Sequence, residues 1–243
     1  MMESISKRES QVISQIKEKD KIIFTPKDVA RFLDISKQNT HRVLKNMKEK
    51  DLIKRVERGK YILRETWEEL DIYEIVPYIF KPSYIAFWSA LHYHDMTDQV
   101  PRTVFLMTTK RKRSLKLQGQ KIQYVTIKRD FFFGYERFEK VIVSDKEKTI
   151  IDSLRHPEYS GGISHLTESI PDNIDTEKLI DYCKKTNNST IASRLGYILD
   201  KKGLRFNKEK LKDMIDTYSK LDPKRNKTDL NTEWKLYVNR RIE

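Results

Sequence analysis

The sequence predicts an α+β chain of two modules, and three patterns carry that prediction. Over residues 1–66, three short helical stripes precede two strands around a glycine. Between 104 and 143, apolar runs and period-two alternation mark strands. From 144 to about 219 the apolar spacing turns helical. Strands in one block and helices in the next favour α+β over a doubly wound sheet. The 243 residues suit two ordinary domains, and 37% apolar residues suffice for packed cores. The boundary is placed at 66/67, with a mixed α/β module of a small sheet and several helices over 67–243.

In the first module, Ile5, Val12, Ile13 and Ile16 share a helical face, which predicts a helix over about 4–18. A short apolar stretch, Ile22-Ile23-Phe24, follows. Thr25-Pro26-Lys27-Asp28 then reads as a helix start: a capping hydroxyl, proline at the first turn and an acid at the positive end of the dipole. Val29, Phe32 and Leu33 are its buried side, and it ends at Asp34-Ile35. Ser36 caps a third helix after a short turn. Thr40, Val43, Leu44 and Met47 are spaced i, i+3, i+4, i+7 and define its core face. Residues 52–56 and 60–63 read as strands around Glu57-Arg58-Gly59, where glycine supplies the positive φ of a tight turn. This order is that of a winged helix-turn-helix.

Net charge is +13, which points to a polyanionic partner. Position sharpens the point, because residues 37–60 hold nine Lys and Arg against three Asp and Glu. At about 100° per residue, the third helix turns Gln38, Arg42 and Lys45 away from its core, flanked by His41 and Asn46. Those side chains suit base edges and phosphates. Lys37 and Asn39 lie at the helix N-terminus, the end that approaches bases in this motif. Arg58 at the wing tip and Lys60 beside it are read as backbone or minor-groove contacts. The module is therefore expected to bind double-stranded DNA rather than serve protein contacts alone.

In the second module, Lys81-Pro82-Ser83-Tyr84 is read as a helix start, with Ile85, Trp88, Ser89, Leu91 and His92 along the helix. Residues 64–76 form an acidic connector or short helix. Strands are expected at 104–107, 122–127 and 139–143, then a helix over 144–154 with Ile150, Ile151 and Leu154 inward. Further helices are expected at about 176–185 and 189–201, closed by Gly203, and from Asn207 to about Ser219. Residues 234–239 read as a last strand.

Several of these stretches are familiar. Tyr84-Ile85-Ala86-Phe87-Trp88-Ser89-Ala90-Leu91-His92, then Thr97-Asp98-Gln99-Val100-Pro101-Arg102-Thr103-Val104-Phe105, then Thr108-Thr109-Lys110-Arg111-Lys112-Arg113 resemble AbiEi-type antitoxins of abortive-infection (type IV toxin–antitoxin) systems. Phe133-Gly134-Tyr135, Asp145 through Asp152, Trp234 through Asn239 and the N-terminal pattern ending Glu57-Arg58-Gly59-Lys60-Tyr61 fit the same family. The resemblance implies a repressor that binds inverted repeats in its own promoter. It also implies a C-terminal domain that counteracts a nucleotidyltransferase-like toxin from the same operon. It implies no catalysis and no cofactor.

Lys110-Arg111-Lys112-Arg113, extended by Lys116 and Lys121, is read as a second phosphate-contacting patch. His92, His94 and Asp95 lack the further ligands of a zinc site and are read as helix-end side chains. Asp145, Glu147 and Asp152 alternate with Lys146 and Lys148, which reads as i,i+4 surface pairing rather than catalysis. Pro171-Asp172 with Glu233-Trp234-Lys235 spells a nuclease-like signature, but about 60 residues separate the parts. Gly161-Gly162 lacks the Lys-Ser/Thr of a phosphate loop. Cys183, the lone cysteine, is expected to be buried and inert, in keeping with a reducing compartment. No run approaches the roughly 20 apolar residues of a bilayer span, and Met1-Met2-Glu3-Ser4 opens no signal segment. A cytoplasmic address is expected. Two rival readings remain: a free-standing regulator whose second domain senses a ligand, and a DNA-targeted nuclease.

Overall fold

The computed structural model describes residues 4–226 and 229–240. The chain divides into two compact units, residues 1–81 and 82–243. The boundary thus falls later than the expected 66/67.

In the first unit, α1 spans Lys7–Glu18 and is started by a capping box. The Ser6 hydroxyl accepts from the Glu9 amide, and the Glu9 carboxylate accepts from the Ser6 amide at 2.7 Å. The helix therefore begins three residues later than its apolar spacing suggests, and Ile5 lies before the cap, 52% exposed. Helix α2, Pro26–Leu33, has the expected Thr25 cap, which forms a capping box with Asp28, and ends at Asp34 in the left-handed region. Helix α3, Lys37–Glu49, is capped by Ser36 and buries Thr40, Val43, Leu44 and Met47.

The wing pairs β1, Ile53–Glu57, with β2, Lys60–Leu63, and is bulged before the turn. Gly59 there has φ 73°. Phe24 extends the wing by an isolated bridge: its amide and carbonyl both bond to Tyr61 at 2.9 Å. Val12, Ile16, Phe24, Val29, Leu44, Met47 and Ile53 form one core. Two further helices, α4 at Arg64–Glu69 and α5 at Ile72–Ile79, belong to this unit, which moves the boundary. Asp71 caps α5, and the ammonium of Lys60 bonds to the Ile79 carbonyl at its far end.

The second unit is built on a mixed six-stranded sheet. Its strands are β3 Ser83–Ile85, β4 Thr103–Thr108, β5 Leu115–Leu117, β6 Gln120–Thr126, β7 Tyr135–Phe138 and β8 Val141–Ser144. Their order is β5-β6-β4-β3-β8-β7, with β4–β6 and β3–β8 parallel. The expected helix at Lys81–Tyr84 is corrected: Ser83–Ile85 is a buried strand between β4 and β8, and helix α6 begins only at Phe87 and ends at Tyr93. The helical spacing read across 85–92 ran over a strand-to-helix junction. Burial between two neighbours overrode it, because strand preference is set by packing more than by local propensity. The strand expected at 139–143 is present as β8, Val141–Ser144, but starts two residues later, because Glu139, at φ 50°, lies in the turn from β7.

A helical layer follows: α7 Lys146–Arg155, α8 Ile163–Ser169, α9 Thr176–Thr186, α10 Ser189–Lys201 and α11 Lys208–Lys212. The helix expected to reach Ser219 stops at Lys212, and Ser219–Lys220 is instead strand β9. It pairs in parallel with β11, Leu236–Val238, which pairs with β10, Asp229–Asn231. Ile150, Ile151, Leu154, Leu166, Leu179, Leu195 and Trp234 share the core of this layer.

Candidate nucleic-acid interface

The amphipathic spacing of α3 decides what its outer face carries. With Val43, Leu44 and Met47 packed inward, Lys37, Gln38, His41, Arg42, Lys45 and Asn46 are all exposed. Asn39 is half-buried, and its amide donates to the Ser36 hydroxyl at the helix start. The side chains of Gln38, His41 and Arg42 have no hydrogen bond or ion pair to any described residue. Lys45 has only a 3.8 Å approach to Glu49 between two exposed side chains. Such a pair holds little energy in water and is easily exchanged for a phosphate.

Beside this face is a cleft of about 600 Å³, lined by Thr25, Pro26, Lys27, Ala30, Lys37, Thr40, His41 and Gly59. It joins the start of α2, the first turns of α3 and the wing turn. Lys27, which sequence reasoning passed over as part of a helix start, is exposed at its rim. The signal was there: a cation in the first turn of α2 opposes the helix dipole and is out of place unless an anion approaches.

The two wing cations part company. Arg58 is exposed at the tip with no described partner. Lys60 is corrected: its ammonium bonds to the Ile79 carbonyl, lies 2.6 Å from Glu57 and sits over the Phe80 ring at 5.6 Å. It anchors α5 to the wing and is not a free cation. Sequence alone left no trace of this, because the partner lies nineteen residues away.

In the second unit, Lys110, Arg111 and Arg113 are exposed in the segment between β4 and β5, and Lys112 is half-buried. His94 donates its Nε2–H to the Ser144 carbonyl, 2.6 Å away; burial holds its pKa below the ordinary histidine value, although that bond opposes the shift. Among the described residues no group of three or more His, Cys, Asp or Glu is placed to hold a metal ion.

The expected i,i+4 surface row is corrected: Asp145 and Glu147 pair with Lys178 of α9 rather than with a lysine of their own helix, and Asp152 is buried. Asp145 caps α7, accepting from the Lys148 amide, and also accepts from the Tyr182 hydroxyl at 2.7 Å. Asp152 and Lys148 are indeed i,i+4, but both are buried and bond to each other, and the Tyr84 hydroxyl donates to the same carboxylate. The nuclease-like letters do not form one centre. Asp172 approaches Lys202, Glu233 approaches Lys208 and Lys212, and Trp234 is buried in the core. Cys183 is buried, and burial pushes its thiol up to about 12.

Residues 4–60 match the MarR family. No curated protein matches the chain. Among solved structures, the chain is similar to the RV2827C protein from Mycobacterium tuberculosis. The TM-score is 0.56 at 12% identity, over 96% of this chain and 92% of that one. At such identity the likeness shows the fold alone. The first unit therefore carries a MarR-type winged-helix domain, the domain of DNA-binding transcription regulators. Among the described residues no helix is long and apolar enough to cross a membrane.

Proposed function

We propose that this chain is a sequence-specific transcriptional repressor and the antitoxin of a toxin–antitoxin system. It binds inverted repeats in its own promoter through α3 and counteracts a nucleotidyltransferase-like toxin through its second unit. The observation that carries the DNA half is the outer face of α3, where Gln38, His41 and Arg42 stand exposed and unpaired beside the Lys27–Lys37 cleft. Helix α3 enters the major groove with its N-terminal turns toward the bases, and Arg58 meets the adjoining backbone. The antitoxin half is supported by the ordered succession of motifs from Tyr84 to Asn239 that resembles AbiEi-type proteins.

Footprinting on the DNA upstream of the gene tests the first half, and rescue of cells expressing the adjoining toxin frame tests the second. Arg42→Ala with Lys45→Ala should abolish the footprint, yet leave rescue intact when the protein is expressed from a foreign promoter. If both activities vanish together in a folded variant, the division of labour between the two units is wrong.

A further inference from the structure

Strand β5 closes one edge of the six-stranded sheet and pairs only with β6. Residues 99–129, which supply both strands and the approach to them, contain nine Lys and Arg and no Asp or Glu. The register sets Lys116 directly opposite Lys121, so the two side chains leave the ribbon on the same face, and both are exposed. Leu117 and Ile122, on the other face, are buried. Like charges directly opposite on neighbouring strands destabilise the pair.

Nothing nearby relieves that repulsion. Lys110, Arg111, Arg113, Lys116 and Lys121 make no ion pair with any described residue. Surface lysines in other parts of the chain do find acids, as Lys17 does with Glu65, Lys210 with Glu177 and Lys212 with Glu233. Lysine on the edge strand itself guards it against aggregation, and Lys116 supplies one. Five uncompensated cations, two of them set against each other, exceed that need.

We propose that the β5–β6 ribbon is a second contact for duplex DNA. It holds backbone phosphates through Lys110, Arg111, Arg113, Lys116 and Lys121 and reads no bases. Gln123 continues the outward face of β6 beyond Lys121, and Val125 after it is buried in the core, so the cationic face of the ribbon exposes no aliphatic or aromatic anchor. Protein interfaces take their energy from such anchors, whereas phosphate contacts need only cations and polar donors. The choice of DNA rests on the winged-helix reading above, since a chain that already binds a duplex brings that polyanion to its other cationic surface.

The test uses the full chain and a labelled random-sequence duplex, with anisotropy followed over a salt series. Each phosphate contact contributes about 0.9 to the slope of log affinity against log salt. Changing all five residues to Gln should therefore flatten the slope by roughly three to five. Lys116→Gln alone, which relieves the repulsion, should melt no lower than the parent while its slope falls by about one. That single change keeps the test open if the fivefold variant fails to fold. An unchanged slope in a folded variant overturns the proposal. If the slope is unchanged but binding to polyglutamate is lost, the partner is an acidic protein. If the slope is unchanged but the variant aggregates, the cations only guard the edge. Failure of the winged-helix reading shows separately, as an Arg42→Ala protein that keeps its preference for operator over random DNA.

Discussion

Removing one partner from the buried Lys148–Asp152 pair should cost the second unit more than any surface change. Lys148 is fully buried and the Asp152 side chain is only 3% exposed. In Asp152→Ala the ammonium keeps only the Phe133 ring, 4.6 Å from its centroid, and the Tyr84 ring at 6.0 Å. Neither replaces a carboxylate, and stranding a buried charge costs about 3–5 kcal/mol.

Lys148→Met should cost less, and its cost should depend on pH. Burial already raises the Asp152 carboxyl above its ordinary value of 3.8, while Lys148 opposes that rise. Without Lys148 the acid takes up a proton more readily and still bonds to Tyr84. A carboxyl raised in the folded state contributes stability that is fully present below its ordinary value and lost as pH climbs through the raised one. The Lys148→Met chain should therefore be more stable in mild acid than at neutral pH. The double change Lys148→Met with Asp152→Leu should recover most of the loss, since apolar replacement of a buried pair is often neutral.

Cys183 offers a local readout. It lies in the core of the helical layer, where a thiol reagent reaches it only when that layer opens. Urea titrations followed by thiol labelling of Lys148→Met, Asp152→Leu and the double change give the double-mutant cycle. If Asp152→Ala loses less than about 1 kcal/mol, or the two single effects simply add, the pair is not coupled in the way described.

Two further outcomes follow from packing and charge. In Gly196→Ala the new methyl runs into the Trp234 ring, which is packed on α10 and donates to Asp200 at 2.7 Å. Overpacking should outweigh the gain in helix propensity and cost about 1–3 kcal/mol; a variant more stable than the parent would contradict this, and tryptophan fluorescence reports the displacement. In the first unit, burial disfavours the charge of Glu9, but Lys50 and Ser6 outweigh it and hold the carboxyl below its ordinary 4.5. Asp28 is likewise opposed by burial and held below 3.8 by Lys21 and Thr25. Carboxyls depressed in the folded state contribute stability that is present above their ordinary values and lost as pH falls through the folded ones. Protection factors of the amides in α1–α3, which remove the intrinsic pH dependence of exchange, should therefore fall below about pH 4.5, and Glu9→Gln should blunt that fall; protection factors independent of pH would refute it.

Much of the first unit was legible in the sequence because its signals are local. Thr25-Pro26 and Ser36 cap helices within three or four residues, the stripe from Thr40 to Met47 repeats every turn, and Gly59 marks the wing. The outward face of α3 follows from that stripe by geometry alone, so Gln38, Arg42 and Lys45 could be named before any fold was known. What the sequence hid was long-range. Lys60 looks like a DNA contact until α5 folds back and offers the Ile79 carbonyl. Ser83-Tyr84-Ile85 looks helical until β4 and β8 flank it. Lys148 and Asp152 look like a surface pair until the sheet and Phe133 cover them. Propensity and spacing act over one or two turns, whereas burial and pairing are decided by partners tens of residues away. The basic ribbon drew on both. Its charge was plain in the sequence, but only the pairing of β5 with β6 set Lys116 against Lys121 on one exposed face.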